Sequence, residues 1–273
     1  MKRRSLLPVL SVFPVLARMV GALLAATLWL PTAAHAADPG KLRIGVEGAY
    51  PPFSAVTPSG ALEGFDIDIA RALCAQMQVQ CTLVQQDFDG MIPALQARKF
   101  DAIVASMAIT AERKKQVAFS ERYYNTPARF IARAGSALVV SPEGLAGKKI
   151  GVQRSTVHDR FATDTFKAAQ IVRYTKQDEV FLDLAAGRID ATLQDSVAAD
   201  AGFLKTPRGK GYAFVGPSYN DPAIFGEGSG IAVRKQDTAL QARLNAAIQA
   251  IRADGTYKKL QDKYFDFDVY GTP

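Results

Sequence analysis

Short apolar runs alternate along the chain with segments whose apolar residues recur at helical spacing. The short runs predict buried strands, and the helical spacing predicts helices packed through one face. From residue 42 to residue 105 the predicted order is strand, helix, strand, helix, strand, which is typical of a parallel sheet flanked by helices. The strands are predicted at residues 42–46, 81–85 and 101–105, and the helices at residues 65–77 and 90–97.

The same order of elements recurs further along the chain. Strands are predicted at residues 149–152, 171–174 and 190–193, with helices at residues 157–168 and 178–186 between them. The segment Leu95-Gln-Ala-Arg-Lys-Phe-Asp-Ala102 is echoed by Leu184-Ala-Ala-Gly-Arg-Ile-Asp-Ala191 at the matching place in the second run. Repeated units of this kind predict two similar α/β lobes, each with a parallel-rich sheet flanked by helices.

Two segments are predicted to connect the lobes. Lobe 1 is expected to contain residues 37–124 and 230–273, and lobe 2 residues 128–222. Residues 125–127 and the Gly-rich residues 223–229 are the expected crossings. The last strand, at 231–234, and two helices, at 238–253 and 256–264, are too few for a third lobe and are expected to complete lobe 1. Two crossings at one waist predict a hinge and a cleft.

Residues 1–36 have the composition of a secretory signal peptide. A basic start is followed by an apolar run near residues 20–30 and by Ala34-His-Ala36 before Ala37. Cleavage near Ala36/Ala37 removes four basic residues and no acid, so the net charge falls from +7 to +3. The high charge of the precursor therefore gives no reason to expect nucleic-acid binding. A retained membrane anchor is the alternative, but no later apolar run is long enough to span a membrane, so a soluble exported protein is expected.

The two cysteines, Cys74 and Cys81, lie seven residues apart. In an oxidising compartment this spacing predicts a local disulfide, and two free buried thiols are the alternative. A closed zinc site is not expected because the mature chain offers only these cysteines and His158 as soft ligands.

Arg113 is the first candidate for ligand binding. Thr110 is a good N-cap residue, so a helix is expected to begin at Ala111, which places Arg113 in its first turn. A cation there is repelled by the positive end of the helix dipole, and an anion beside it would offset this repulsion. Free backbone N–H groups at the helix start also favour an anion. These features predict a carboxylate site at residues 106–113, and a solvent-exposed basic face is the alternative.

Further candidates follow the predicted strands, where ligands bind in open α/β sheets. Each has a structural alternative: Glu47 as a loop acid, Tyr50 and Phe88 as core aromatics, and Ser155, Thr156 and Asp195 as helix N-caps. As a set they are complementary to one kind of ligand. Arg113 and two helix starts suit a carboxylate, Asp195 suits an α-ammonium, and Glu47 suits a distal cation. Because an enclosed charge must be paired, we expect an α-amino acid with a basic side chain.

The sequence also resembles a known family over nearly all of the mature chain. The shared motifs include Arg43-Ile-Gly-Val46, Tyr50-x-Pro-Phe-Ser54, Gly64-Phe-Asp-Ile-Asp68, Asp87-Phe-Asp89, Leu193-Gln-Asp195 and Asp254-Gly-Thr-Tyr257. The family is that of the periplasmic amino-acid-binding proteins of ABC importers, and the lysine/arginine/ornithine- and histidine-binding members are most similar. The resemblance implies the two-lobed periplasmic-binding-protein fold, type II.

The resemblance also implies roles for individual residues. Arg113 would bind the ligand carboxylate with the backbone N–H groups of Ala108 and Thr156, and Asp195 with Ser106 would hold the α-ammonium. Tyr50 and Phe88 would enclose the side-chain stem, and Cys74–Cys81 would be the disulfide of the family. The expected ligand-binding set is Glu47, Tyr50, Phe88, Ala105, Ser106, Ala108, Arg113, Ser155, Thr156 and Asp195.

Three departures from the family pattern affect the choice of ligand. Glu47 replaces an aspartate, and Ala105 and Ala108 replace two serines. The loop at residues 153–157 is one residue shorter, with Val157 where glutamine is expected. A basic ligand remains expected, but arginine, lysine, ornithine, histidine and a guanidino conjugate such as an opine all stay open.

The expected function is therefore that of a periplasmic, monomeric, non-catalytic receptor without a cofactor or metal. It would close two lobes on a basic amino acid and deliver it to an inner-membrane ABC permease. A dehydratase on the same scaffold is the enzymatic alternative, with Glu47 as its acid–base candidate. A sensor that binds the ligand for signalling is a third possibility.

Overall fold

The computed structural model describes residues 40–271. The predicted signal peptide lies outside the described residues. No helix within residues 40–271 is long and apolar enough to cross a membrane.

Thirteen strands and nine α-helices are found among the described residues. The strands are β1 (Lys41–Val46), β2 (Ala49–Tyr50), β3 (Ser54–Val56), β4 (Leu62–Glu63), β5 (Gln80–Gln85), β6 (Ala102–Ile103), β7 (Ala118–Tyr124), β8 (Ala128–Arg133), β9 (Lys149–Gln153), β10 (Gln170–Tyr174), β11 (Ala191–Asp195), β12 (Tyr212–Tyr219) and β13 (Ser229–Val233). The helices are α1 (Phe65–Gln76), α2 (Met91–Gln96), α3 (Ala111–Lys114), α4 (Val157–Thr165), α5 (Gln177–Ala185), α6 (Ser196–Ala199), α7 (Pro222–Phe225), α8 (Thr238–Ala253) and α9 (Thr256–Tyr264).

The strands form two five-stranded mixed sheets with the same layout. The first sheet has the order β5-β1-β6-β13-β7, and the second has the order β10-β9-β11-β8-β12. In each sheet a central strand pairs in parallel with two neighbours: β1 with β5 and β6, and β9 with β10 and β11. The two remaining strands of each sheet pair antiparallel with their neighbours: β13 with β6 and β7, and β8 with β11 and β12. The α/β fold class and the doubled order of elements are confirmed.

The chain passes between the two sheets twice. It leaves the first sheet after β7 and enters the second at β8, and it returns between β12 and β13. The second passage contains α7, which begins with a proline and is capped by the carboxylate of Asp221, an acceptor for the Ala223 N–H at 2.9 Å. The predicted lobe boundaries and hinge role stay a prediction.

A cluster of aromatic rings underlies the start of α1 and the end of β7. The ring of Phe53 stacks on Tyr124 with centroids 4.5 Å apart, and Phe65 packs edge-on against Phe265 at 5.1 Å. Phe53, Phe65 and Tyr123 are fully buried. Burial of each ring contributes on the order of 2 kcal/mol, so the cluster makes a rigid support for the loops above it.

The cysteine pair forms the expected disulfide. Cys74 near the end of α1 is bonded to Cys81 in β5. The bond links α1 to an edge strand of the first sheet. Two free thiols, the alternative that the sequence left open, are therefore not observed.

Several elements differ from their predicted extent. The strand expected at residues 101–105 pairs only over Ala102–Ile103, because the chain turns into a loop in which Ser106 has a φ of 53°. The helix expected at residues 157–168 ends at Thr165, because Phe166 leaves the helical backbone and packs its ring against Phe130. The loop after β1 contains the small sheet β2-β3-β4, whose two- and three-residue strands are too short to give a periodic signal.

Candidate ligand-binding site

The carboxyl ends of strands from both sheets meet at the candidate site. Glu47 follows β1, and Gln153 is the last residue of β9. The Nε2 atom of Gln153 donates a hydrogen bond to Oε1 of Glu47 and a second one, 3.1 Å long, to the carbonyl oxygen of Thr175. The end of β1 and the end of β9, which belong to different sheets, are therefore in direct contact through Glu47 and Gln153.

Arg113 joins the same region from the side of α3. Thr110 caps this helix as predicted, because its hydroxyl oxygen accepts the backbone N–H of Arg113 at 3.2 Å. The guanidinium donates to the carbonyl oxygens of Ala108 at 2.9 Å and of Ser155, in the second sheet's loop, at 3.1 Å. It also lies 5.3 Å from the ring centroid of Phe88, within cation–π range.

The charge of Arg113 has no acid partner among residues 40–271. Burial, with a contribution from Arg160, lowers the pKa of the guanidinium to about 10, which still leaves it cationic at neutral pH. A cavity of about 500 Å³ extends over Arg113, Ser155 and Thr156. The solvent-exposed basic face that the sequence left open does not describe this residue, because its guanidinium is partly buried between the two sheets.

Ser155 and Thr156 occupy the turn that begins α4. Thr156 is the N-cap, and its hydroxyl oxygen accepts the Asp159 N–H at 3.1 Å. Ser155 is exposed and has a φ of 63°. Thr156 is thus a helix N-cap, which was its structural alternative. Its predicted contact with a ligand through the backbone N–H stays a prediction.

Asp195 ends β11 and is almost completely buried. Its Oδ1 atom caps α6 by accepting the N–H groups of Val197 and Ala198, both at 2.9 Å, and its Oδ2 atom accepts the hydroxyl of Thr126. Burial raises the pKa of Asp195 to about 6, although these hydrogen bonds oppose the rise. Asp195 is therefore a helix cap that also carries a negative charge with no cationic partner among the described residues.

Glu47 has a similar environment. It is 4% exposed. Burial raises its pKa to about 7 against the effect of the Gln153 hydrogen bond, and the charges of Asp66 and Asp87 contribute in the same direction as burial. The second carboxylate oxygen has no protein donor among the described residues, so it is available to a ligand.

Of the remaining predicted residues, Tyr50, Phe88 and Ala105 are buried, and Ala108 is partly buried. Tyr50 lies on β2 and stacks on Phe53 with centroids 5.9 Å apart. Phe88 follows β5 in a short 3-10 helix, Phe88–Gly90. Ala105 and Ala108 lie in the loop after β6, and the carbonyl of Ala108 is the one that Arg113 binds. The roles of all these residues in ligand binding stay predictions.

Sequence reasoning missed Asp66 and Gln153. Asp66 lies in the first turn of α1, is fully buried, and accepts hydrogen bonds from Ser106 Oγ at 2.9 Å and Tyr123 Oη at 2.8 Å. Its only sequence signal was its place in a motif shared with the family. Gln153 is the last residue of β9, so the rule that ligands bind at the carboxyl ends of strands applies to it as well as to its neighbours. It was missed because a neutral amide does not need a charged partner.

The comparison with known proteins identifies the family. The sequence profile of the bacterial extracellular solute-binding proteins, family 3, matches residues 42–267. The chain belongs to this family. This solute-binding protein is 56% identical over 256 residues to the L-arginine-binding protein of Pseudomonas aeruginosa, covering 93% of this chain and 98% of that protein.

Two further relatives extend the comparison. The lysine/arginine/ornithine-binding periplasmic protein of Escherichia coli is 47% identical over 246 residues, which cover 89% of this chain and 95% of that protein. Among solved structures, an ancestral arginine-binding protein bound to glutamine matches with a TM-score of 0.77 at 37% identity. That match covers 84% of this chain and 99% of the ancestral protein.

The buried acids of this solute-binding protein predict how its stability depends on pH. Glu47 and Asp66 have a pKa raised to about 7, and Asp195 a pKa raised to about 6. Because these values lie above those of the unfolded chain, the folded protein binds more protons than the unfolded chain, and stability is lost as the pH rises. We expect the melting temperature of the ligand-free protein to fall between pH 6 and pH 8, by thermal unfolding in buffers of equal ionic strength.

The pH window is chosen to isolate these acids. His158, whose pKa burial lowers to about 4, acts in the opposite direction, but mainly below its unfolded value of 6.5. Asp68 and Asp101, whose pKa is lowered, act only in stronger acid. The Glu47→Gln variant removes one of the three raised carboxyls and should flatten the profile. A melting temperature that rises from pH 6 to pH 8 would contradict the assignment.

Proposed function

We propose that this solute-binding protein captures a basic L-amino acid, with arginine as the first candidate among arginine, lysine, ornithine and histidine. One observation carries the proposal. Within residues 40–271, the partly buried Arg113 has no acid partner, and the buried carboxylates of Glu47 and Asp195 have no ion-pair partner. A ligand with one carboxylate and two cationic groups supplies the missing partners.

Each ligand group has a counterpart in the site. Arg113 pairs with the carboxylate, Asp195 with Ser106 holds the α-ammonium, and Glu47 meets the distal cation. An unpaired buried charge costs several kcal/mol, so pairing of all three groups strongly favours the bound state. A bound cation also lowers the pKa of the nearby carboxyls, which are then ionised at neutral pH. Tyr50 and Phe88 enclose the aliphatic stem.

The named ligands of the relatives support arginine. The Pseudomonas aeruginosa protein, at 56% identity, is an L-arginine-binding protein, and the Escherichia coli relative binds lysine, arginine and ornithine by name. Glu47 is one methylene longer than aspartate, and its orientation is fixed by Gln153. A guanidino conjugate such as an opine remains the second ligand class to test.

Capture works through closure of two lobes, residues 37–124 with 230–273 and residues 128–222, about crossings at residues 125–127 and 223–229. Contacts between the two sheets' loops support a closed form. Arg154 forms an ion pair with Asp89 at 2.7 Å, in addition to the bonds of Gln153 to Glu47 and of Arg113 to Ser155. A ligand that contacts both sets of loops only in the closed form shifts the equilibrium towards closure.

The proposed cellular role is supported by the family and by the composition of residues 1–36. Residues 1–36 act as a signal peptide that is removed near Ala36/Ala37, and the mature protein works as a monomer in the periplasm. It delivers its amino acid to an inner-membrane ABC permease and releases it chemically unchanged, so it is a receptor and not an enzyme.

Calorimetry on the mature protein tests the proposed function. We expect tight binding of arginine, weaker binding of lysine, ornithine or histidine, and little binding of neutral amino acids. An arginine-derived opine belongs in the same panel. Chromatography after incubation should recover each ligand intact. Absence of tight binding to all the basic ligands would refute the proposal, and tight binding of the opine alone would reassign the ligand.

The Glu47→Gln variant tests recognition of the distal cation. It keeps the size of the side chain and removes its charge, so we expect about a 10- to 100-fold loss for basic ligands and little change for glutamine. Glu63→Gln, which removes an exposed acid of β4, is the matched control. Equal losses for basic and neutral ligands in Glu47→Gln would remove the assigned role.

A further inference from the structure

Ser106 has an unusual backbone conformation in the candidate site. Its φ of 53° lies in the left-handed region, which residues other than glycine adopt only where their surroundings fix them. The loop Ala105-Ser106-Met107-Ala108 contains no other hydroxyl. Ser106 therefore supplies the only side-chain hydroxyl of this loop, and no neighbouring residue of the loop can take its place.

A closed cycle of hydrogen bonds holds Ser106 in place. Its backbone N–H donates to the hydroxyl oxygen of Tyr123 at 3.1 Å, and the Tyr123 hydroxyl donates to Oδ1 of Asp66 at 2.8 Å. The hydroxyl of Ser106 donates to Oδ2 of the same carboxylate at 2.9 Å. Two bonds thus reach Asp66 from Ser106, one direct and one through Tyr123.

The cycle also fixes the direction of each proton. When a bound cation keeps Asp66 ionised, its carboxylate accepts hydrogen bonds and donates none, so both hydroxyl protons point at Asp66. The lone pairs of Ser106 Oγ, beside which the Tyr124 hydroxyl also lies, are then the part of this hydroxyl that faces a ligand. A hydroxyl held in this way accepts from an ammonium group and cannot donate to a carboxylate.

We propose that Asp66 is a positioning residue for the α-ammonium group of the ligand, acting through Tyr123 and Ser106. This inference rests on the proposed function and adds a residue to it. Asp66 is fully buried and acts from beneath Ser106. Its own place is fixed because its N–H donates to the carbonyl of Phe53 at 2.8 Å. The first turn of α1 also favours its negative charge.

A pair of ligands separates this role from general electrostatics. Arginine carries the α-ammonium, whereas 5-guanidinopentanoate has the same carboxylate and guanidinium without it. We expect Asp66→Asn to lower arginine affinity by about 10- to 100-fold in calorimetry, and 5-guanidinopentanoate affinity by no more than about threefold. Tyr123→Phe, which removes the two bonds of the cycle that involve the tyrosine hydroxyl and no charge, should show the same selectivity with a smaller loss.

Two controls complete the experiment. Asp68→Asn removes a carboxylate from the same turn of α1, but that carboxylate binds Lys263 and Tyr264 at 2.7 Å, and the variant should bind both ligands normally. In a double-mutant cycle, Asp66→Asn should add little to the loss caused by Ser106→Ala, because both act on one hydroxyl.

The possible outcomes are distinguishable. Failure of the wild-type protein to bind any of the basic amino acids would refute the proposed function, and failure to bind arginine alone would refute this inference as stated. The role of Asp66 alone would be overturned if the wild-type protein binds arginine but Asp66→Asn and Tyr123→Phe weaken both ligands equally. Additive losses in the double-mutant cycle of Asp66→Asn and Ser106→Ala would overturn it as well. Thermal unfolding of each variant establishes that the protein measured is folded.

Discussion

The Asp195→Asn variant is expected to lose about 100- to 1,000-fold in affinity for arginine. Asp195 is buried and has no cationic partner among the described residues, so in the proposed complex the α-ammonium is its partner. Removing its charge leaves that ammonium enclosed without an anion, which is among the largest penalties a single substitution causes. Calorimetry with arginine and with 5-guanidinopentanoate measures the effect.

The choice of asparagine separates charge from folding. Asparagine is a good N-cap, so it can still accept the N–H groups of Val197 and Ala198 that begin α6. Because burial raises the pKa of Asp195, its charge does not stabilise the ligand-free protein at neutral pH, and the melting temperature should hold or rise. Asp200→Asn, which removes the partner of Lys205 nearby, is the matched control. Unchanged arginine affinity in Asp195→Asn would disprove the assignment.

The Arg113→Met variant is expected to lose about 100-fold or more in affinity for arginine. In the proposed complex its guanidinium pairs with the ligand carboxylate, and it is the cation that lies over Phe88 and binds the carbonyl oxygens of Ala108 and Ser155. Agmatine, which is arginine without the carboxylate, should bind the variant at least as well as it binds the wild type. The comparison is made by calorimetry on both ligands.

Two further variants sharpen this result. Arg113→Lys keeps the charge but loses the planar pair of donors, and an intermediate loss of about tenfold is expected. Lys114→Met removes the adjacent cation, which forms a surface ion pair with Glu227 at 2.8 Å, and should bind arginine normally. If Arg113→Met weakened agmatine as much as arginine, the contact with the carboxylate would be disproved.

Much of the fold was predictable because its signals are local. The spacing of apolar residues located α8 and α9 with their observed bounds, and the doubled order of elements anticipated two sheets of the same layout. Thr110 was recognised as a helix cap from three or four neighbouring residues. The antiparallel strands β7, β8 and β12 were not predicted, because pairing partners far along the chain define them. The short strands around Tyr50 were missed because two or three residues give no periodic signal.

The sequence by itself determined the α/β class, the disulfide candidates and the charged residues at the strand ends, because periodicity, caps and charge are properties of short segments. Only the tertiary structure decided which polar atoms meet. Glu47 binds Gln153 across 106 positions, and Asp66 binds Ser106 across 40 positions. Contacts between residues so far apart depend on how the sheets and loops pack together, which no local pattern encodes. The chemistry of the site was therefore visible in the sequence, while the bonds that orient its acceptors were not.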